Sequence, residues 1–306
     1  MAPHILMELS ILAMLVAAFQ VGAADLPKGV NLSFTRFPRS RSPLNCSTDG
    51  EATAGLDIGP DRICYVTETG ESVFFSAPSV ISVRYQYLKK VQLWSAKKIK
   101  SQAVSFSTSY VIEFQRSDWR ESRNFLPFGG GWAFAITPDQ RVGASGPESL
   151  GLFEIDPKTG KSLRGKKTKT VAIELDISRF SADVTFADPQ LPHVGLDINS
   201  VKSIVTRPIG NFTKFVDRPI AVFIDYDAKK SQLQVRVQKL SNSDTSRSVP
   251  DKKKAKLYLS YAPLRLSDLV DEYSYVGFSS RIPEAEDGTY MLSSWKFSTK
   301  WVSLRT

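Results

Sequence analysis

Beyond about residue 30, apolar and polar positions alternate with period two in short runs, and the alternation is punctuated by turn residues. The runs fall at 33–37, 72–75, 104–114, 131–137, 170–177, 194–205, 221–226, 233–239, 256–261, 273–280 and 291–299. They are rich in Val, Ile, Phe, Tyr and Thr, whose side chains suit a pleated, half-buried surface. Pro157-Lys-Thr-Gly160, Pro138-Asp-Gln140 and Glu286-Asp-Gly288 supply turns between them. A 3.6-residue period is credible only at 263–270, where Leu264, Leu266 and Leu269 can share one face of a helical turn. The polar, basic stretch 240–255 reads as a long hairpin loop. Many short strands with almost no helix predict an all-β sandwich or barrel.

The N-terminus departs from that pattern. Residues 11–19 form a short apolar run, followed by the small residues Val21-Gly22-Ala23. This reads as a secretory signal over 1–23, which leaves a single domain over 24–306; an apolar N-terminal strand or helix is the other reading. No later stretch reaches the roughly 18 apolar residues needed to span a bilayer. The sequons at Asn31, Asn45 and Asn211 agree with export, and Cys46 and Cys64 can either close one disulfide or stay as two buried thiols. The expected location is extracellular, in the cell wall or apoplast.

With 306 residues, 42% of them hydrophobic, the chain can bury a sizeable core. Its net charge is +9, with basic runs at 164–169 and 252–254. Neither run contains aromatics, so nucleic-acid binding is not expected. A solvated face, or one that meets an anionic wall polymer, fits better.

Chemistry concentrates at 171–203, VAIELDISRFSADVTFADPQLPHVGLDINSVKS. In a strand Glu174 and Asp176 share a face, and adjacent carboxylates repel unless a cation sits between them. Asp188 and His193 follow; three carboxylates and an imidazole suit a divalent transition ion, whereas Ca²⁺ wants more oxygens. The bland reading is a pair of solvated acids and a structural histidine.

That segment resembles the metal-binding segment of the legume (L-type) lectin family, with its Glu-x-Asp, Asp-Pro and His-Val-Gly-Leu-Asp. AVSFSTSYVIEF (103–114), GGWAFAITP (130–138), LGLF (150–153), IDYD (224–227), YVGFS (275–279) and SWKF (294–297) are similar to other stretches of the family, in the same order. The resemblance implies a concanavalin-like jelly-roll of antiparallel sheets. It also implies a Mn²⁺-like ion on Glu174, Asp176, Asp188 and His193 with Ca²⁺ beside it, binding of glycans or glycoproteins, and pairing of back sheets into dimers.

The resemblance breaks at the sugar site. Asp176 and Asp188 stand farther apart than in the family; Phe180 replaces the Asn that binds Ca²⁺ and sugar, and Ser178 replaces an aromatic. Gly130 stands where the family has a sugar-binding Asp. Pro147-Glu148 replaces a Gly pair, and proline has no N–H to donate. Phe128, Trp132 and Phe180 are left as stacking surfaces, Glu148 and Asp183 as acceptors. The second Ca²⁺ is therefore doubtful, and two functions follow: a lectin with a remodelled site, or a lectin fold serving as a protein-interaction or defence module.

Catalysis is not expected. Retaining glycosidases on a related sandwich resemble Glu-x-Asp-x-x-Glu and need a second carboxylate about 5–5.5 Å from the first. Here that place holds Ser178 or Arg179. His193 is the only histidine outside the leader, no Gly-x-Ser-x-Gly elbow accompanies it, and no phosphate-binding loop occurs. Some family members are receptor kinases; this sequence ends at Thr306 with neither a membrane helix nor a kinase, and is expected to be soluble.

Overall fold

The protein is described from a computed structural model, over residues 28–38, 42–48, 52–53, 64–66, 71–75, 81–96, 102–116, 131–143, 149–154, 156, 163, 168–176, 192–210, 215, 217–241, 250–282 and 288–304. In chain order the strands are β1 (Asn31–Phe34), β2 (Leu44–Thr48), β3 (Ala52–Thr53), β4 (Cys64–Val66), β5 (Val73–Phe75), β6 (Ile81–Tyr87), β7 (Val91–Gln92), β8 (Trp94–Ser95) and β9 (Gln102–Arg116). The second half adds β10 (Gly131–Thr137), β11 (Val171–Asp176), β12 (His193–Ile198), β13 (Val205–Pro208), β14 (Ile220–Asp227), β15 (Gln232–Lys239), β16 (Lys256–Tyr261), β17 (Tyr273–Ile282) and β18 (Gly288–Ser303). One helical turn, Leu266–Leu269, lies inside the expected 263–270.

The strands form two antiparallel sheets. The rear sheet runs β16-β15-β14-β9-β18-β5-β4, with β1 and β8 attached; the front sheet runs β13-β12-β11-β10-β17-β6-β2-β3, with β7 attached. Their inner faces meet in one aromatic core. Trp132 lies 5.1 Å from both Phe75 and Phe278, and Phe278 lies 5.0 Å from Trp295. Offset and edge-on pairs of this kind add to the burial of the rings themselves.

The expected all-β sandwich is present, with local differences. The run 194–205 is two strands, because Asn199 takes a left-handed conformation (φ 54°) and its side chain accepts the Thr170 N–H at 3.0 Å. Asparagine tolerates that backbone region and so ends β12. Ile81–Tyr87 is an additional strand. Its polar positions Arg84 and Gln86 are buried: Arg84 donates to the carbonyls of Asp139, Gly151 and Leu152, and Gln86 to Thr137 Oγ1.

Those bonds hold a third layer over the front sheet. Leu150, Leu152, Phe153 and Val201 pack on the outward-facing Ala133, Ala135 and Ala172. Hence β10 is buried on both faces, large residues inward and small ones outward. Cys46 and Cys64 are joined in a disulfide that links β2 of the front sheet to β4 of the rear.

Candidate functional site

The register of the front sheet builds the site. Glu174 stands opposite Gly195, Asp176 opposite His193, and Ala172 opposite Asp197. Successive side chains alternate between faces, so Glu174, Asp176, His193 and Asp197 all point outward, away from the aromatic core. Gly195 leaves the space between His193 and Asp197 to the side chains of Ser203 and Glu174. A Cβ there would collide with Ser203 Oγ and the Glu174 carboxylate.

Glu174 and His193 are 5% and 0% exposed, so neither is a solvated surface group. His193 Nε2 lies 3.1 Å from Glu174 Oε1, and its Nδ1 lies 3.9 Å from Asp176 Oδ2. Ser203 Oγ lies 2.9 Å from Glu174 Oε1 and 2.6 Å from Asp197 Oδ1. A hydroxyl has one proton to give, so it cannot satisfy two ionised carboxylates at once. With Asp176 at its rim, the cluster sets three carboxylates against one imidazole in a place largely shut off from water. Such an excess of buried negative charge needs protons or a cation. The negative end is felt in the core: the Tyr290 hydroxyl is pushed up, first by burial and then by the charge of Asp176.

Carboxylates and an imidazole are the donor types that ligate a small divalent ion, and His193 Nε2 and Glu174 Oε1 are here in direct hydrogen-bond contact with each other. Among the described residues no group of three or more such side chains meets tightly enough to hold an ion by itself. Asp176 faces the other ring nitrogen, and Asp188 lies outside the described residues.

The structure also sorts the expected sugar residues. Trp132 is corrected: it is 1% exposed and wedged between Phe75 and Phe278, so it offers no face to a ligand. Gly130, Glu148, Phe180 and Asp183 lie outside the described residues. Their chain neighbours are placed, however. Gly131 is the first residue of β10, Asp176 the last of β11 and His193 the first of β12, and the three share one end of the sheet. Residues 130 and 177 are thus the chain neighbours of strand ends that lie beside the acidic cluster. Leu150, two residues past Glu148, lies against Gly131.

Of the sequons, Asn31 is exposed, whereas Asn211 lies outside the described residues. Asn45 is corrected as a glycan site: it is 8% exposed and its amide donates to Ser47 Oγ at 3.0 Å, leaving no room for a sugar in the folded protein.

Residues 30–304 match the family model for the legume lectin domain. The chain belongs to the legume lectin family. It is 34% identical to the L-type lectin-domain containing receptor kinase VIII.1 of Arabidopsis thaliana over 269 residues, 86% of this chain and 34% of that one. It is 28% identical to a lectin of Onobrychis viciifolia over 219 residues, 71% of this chain and 75% of that one. Lectin II from Ulex europaeus shares the fold at a TM-score of 0.66 and 22% identity, over 89% of this chain and 98% of that one. The chain spans about a quarter to a third of the length of the receptor kinases it matches. Its jelly-roll is thus the legume lectin fold, found both in lectins and in the lectin domains of receptor kinases. The relatives named are plant proteins.

Asp197, Gly195 and Ser203 belong to the site although sequence reasoning gave them no role. Parity was the available signal: 193, 195 and 197 must share a face, and a glycine between two outward polar residues marks a gap that something fills.

Proposed function

We propose that this protein is a secreted lectin that binds glycans through a remodelled site, supported by a divalent ion at the end of the front sheet. The observation that carries this is the buried Glu174–His193 pair, with Asp176 beside it, at the strand ends from which segments 117–130 and 177–191 depart. Asp188 completes the proposed ligand set. A Mn²⁺-like ion there would neutralise the cluster and tie the ends of β11 and β12 together, which fixes the bases of the sugar-contacting segments. Recognition would then use Glu148 and Asp183 as hydroxyl acceptors and Phe180 as a ring-stacking surface, since the acceptor at Gly130 and the N–H at Pro147 are missing. The Cys46–Cys64 disulfide and the exposed Asn31 support an oxidising, extracellular setting.

A second reading, a defence or protein-interaction module without sugar binding, rests on those same replaced contacts at Gly130, Pro147 and Phe180. A glycan array run with and without EDTA separates the two. Retention of a glycan that EDTA abolishes supports the lectin; silence across the array supports the module.

A further inference from the structure

The rear sheet carries a second surface, on the opposite side of the sandwich from the acidic cluster. One level of its outer face reads Ser260, Gln234, Asp225, Ser107 and Ser298 across five adjacent strands, each directly opposite the next. Two hollows of about 680 and 670 Å³ open over this lane and share Asp225 and Asp227. Lys229 and Lys300 line the first; Lys230, Arg236, Lys252 and Lys253 line the second. These six cations face three carboxylates, Asp225, Asp227 and Asp251.

The carboxylates are already engaged. Asp225 accepts from Ser107 Oγ at 2.8 Å and pairs with Lys252 at 2.6 Å. Asp227 accepts the backbone N–H groups of Lys229 and Lys230, and Asp251 that of Lys253. The excess positive charge is therefore left for an outside partner. Aromatic stacking is not on offer, since Phe106, Tyr226 and Trp301 beneath the first hollow are all buried. That absence disfavours single-stranded nucleic acid, which binds through base stacking. A second copy of this chain is disfavoured too, because dimer cores are apolar. Of the apolar residues on this face, Val111, Ala221 and Phe223 are covered by Leu240 and Ala255 of the same chain, and Leu257, opposite Arg236, is exposed singly rather than as part of a patch.

We infer that this lane is a binding surface for an anionic polysaccharide, a polymer of uronic acids whose carboxylates meet the lysines while its hydroxyls meet the Ser and Gln side chains. The sheet supplies a flat track and the ammonium groups supply the attraction, so sequence of sugars matters less than density of charge. The surface works independently of the front-sheet site and of any ion bound there.

The test measures binding of the full chain to polygalacturonate, with dextran as the neutral polymer. Binding is expected to polygalacturonate alone, to weaken as salt shortens the Debye length below about 8 Å, and to persist in EDTA. The combined variant Lys229→Gln, Lys253→Gln, Lys300→Gln should lose roughly tenfold in affinity while melting at the same temperature, because exposed charges add little to folding. The inference is overturned if polygalacturonate does not bind, if dextran binds equally, or if the correctly folded triple variant binds as the parent does. Loss of self-association in that variant, with polymer binding unchanged, would assign the lane to a second copy and overturn it as well.

Discussion

The two outer faces of this sandwich obey the same alternation of inward apolar and outward polar residues, yet only one of them buries its charges. On the rear sheet Ser107 and Asp225 lie across β9 and β14 on the outer surface, where Ser107 donates to Asp225 and Asp225 pairs with the exposed Lys252. On the front sheet a third layer at 150–153 and Val201 covers Ala133, Ala135 and Ala172, and Ser203 reaches over the buried Glu174 and Asp197 beside His193. Acids at equivalent positions in a strand thus become either an exposed lane or a buried, charge-rich pocket. What decides between them is what lies on top, and the small outward residues Gly131, Ala133 and Gly195 make room for that cover.

Substitutions can break or sharpen this contrast. The largest effect is expected on the inner side of the front sheet. Trp132→Ala should cost about 3–5 kcal/mol in chemical denaturation, as emptied aromatic core sites do. If Trp132 instead served a ligand, stability would hold and glycan binding alone would fall. On the outer faces one small change should read differently. Gly195→Ala drives a Cβ into Ser203 and Glu174 and should cost about 1–3 kcal/mol. Ser107→Ala on the rear lane should stay within about 0.5 kcal/mol. Equal costs at the two positions would mean that the front face is no more closely packed than the rear.

The smallest effect concerns acid. Burial works to raise the Asp139 carboxyl, but hydrogen bonds and the charge of Arg141, with Arg84 behind it, hold it below the usual carboxylate range. A lowered value means that its contribution is present above the unfolded value, near 4, and fades as pH falls through the folded one. Asp139→Asn should therefore lower the melting temperature slightly at neutral pH and leave it close to the parent's in acid, so that the acid limb of the profile flattens.

Much of this was readable in the chain, and what was missed has physical reasons. Long strands such as Gln102–Arg116 and Ile220–Asp227 announce themselves through β-branched and aromatic alternation. Val91–Gln92 and Cys64–Val66 are too short to show a period. Ile81–Tyr87 does alternate, but its Arg84 and Gln86 look like solvent-facing residues until their bonds to Asp139, Gly151, Leu152 and Thr137 are seen. Trp132 was misjudged because β10 is apolar on both faces. Its alternation of large and small residues, Trp132, Phe134 and Ile136 against Gly131, Ala133 and Ala135, held the answer. In the site, Glu174, Asp176 and His193 stood out by residue type, whereas Asp197 and Ser203 emerge only from cross-strand register.

The central claim is that the outward cluster on β11 and β12 holds a divalent cation. Elemental analysis of the full-length protein, dialysed against Mn²⁺ and then freed of excess metal, measures this directly. Stoichiometric metal in the parent and none in Glu174→Ala is the predicted result. A metal-free parent, or equal metal in both proteins, would contradict it.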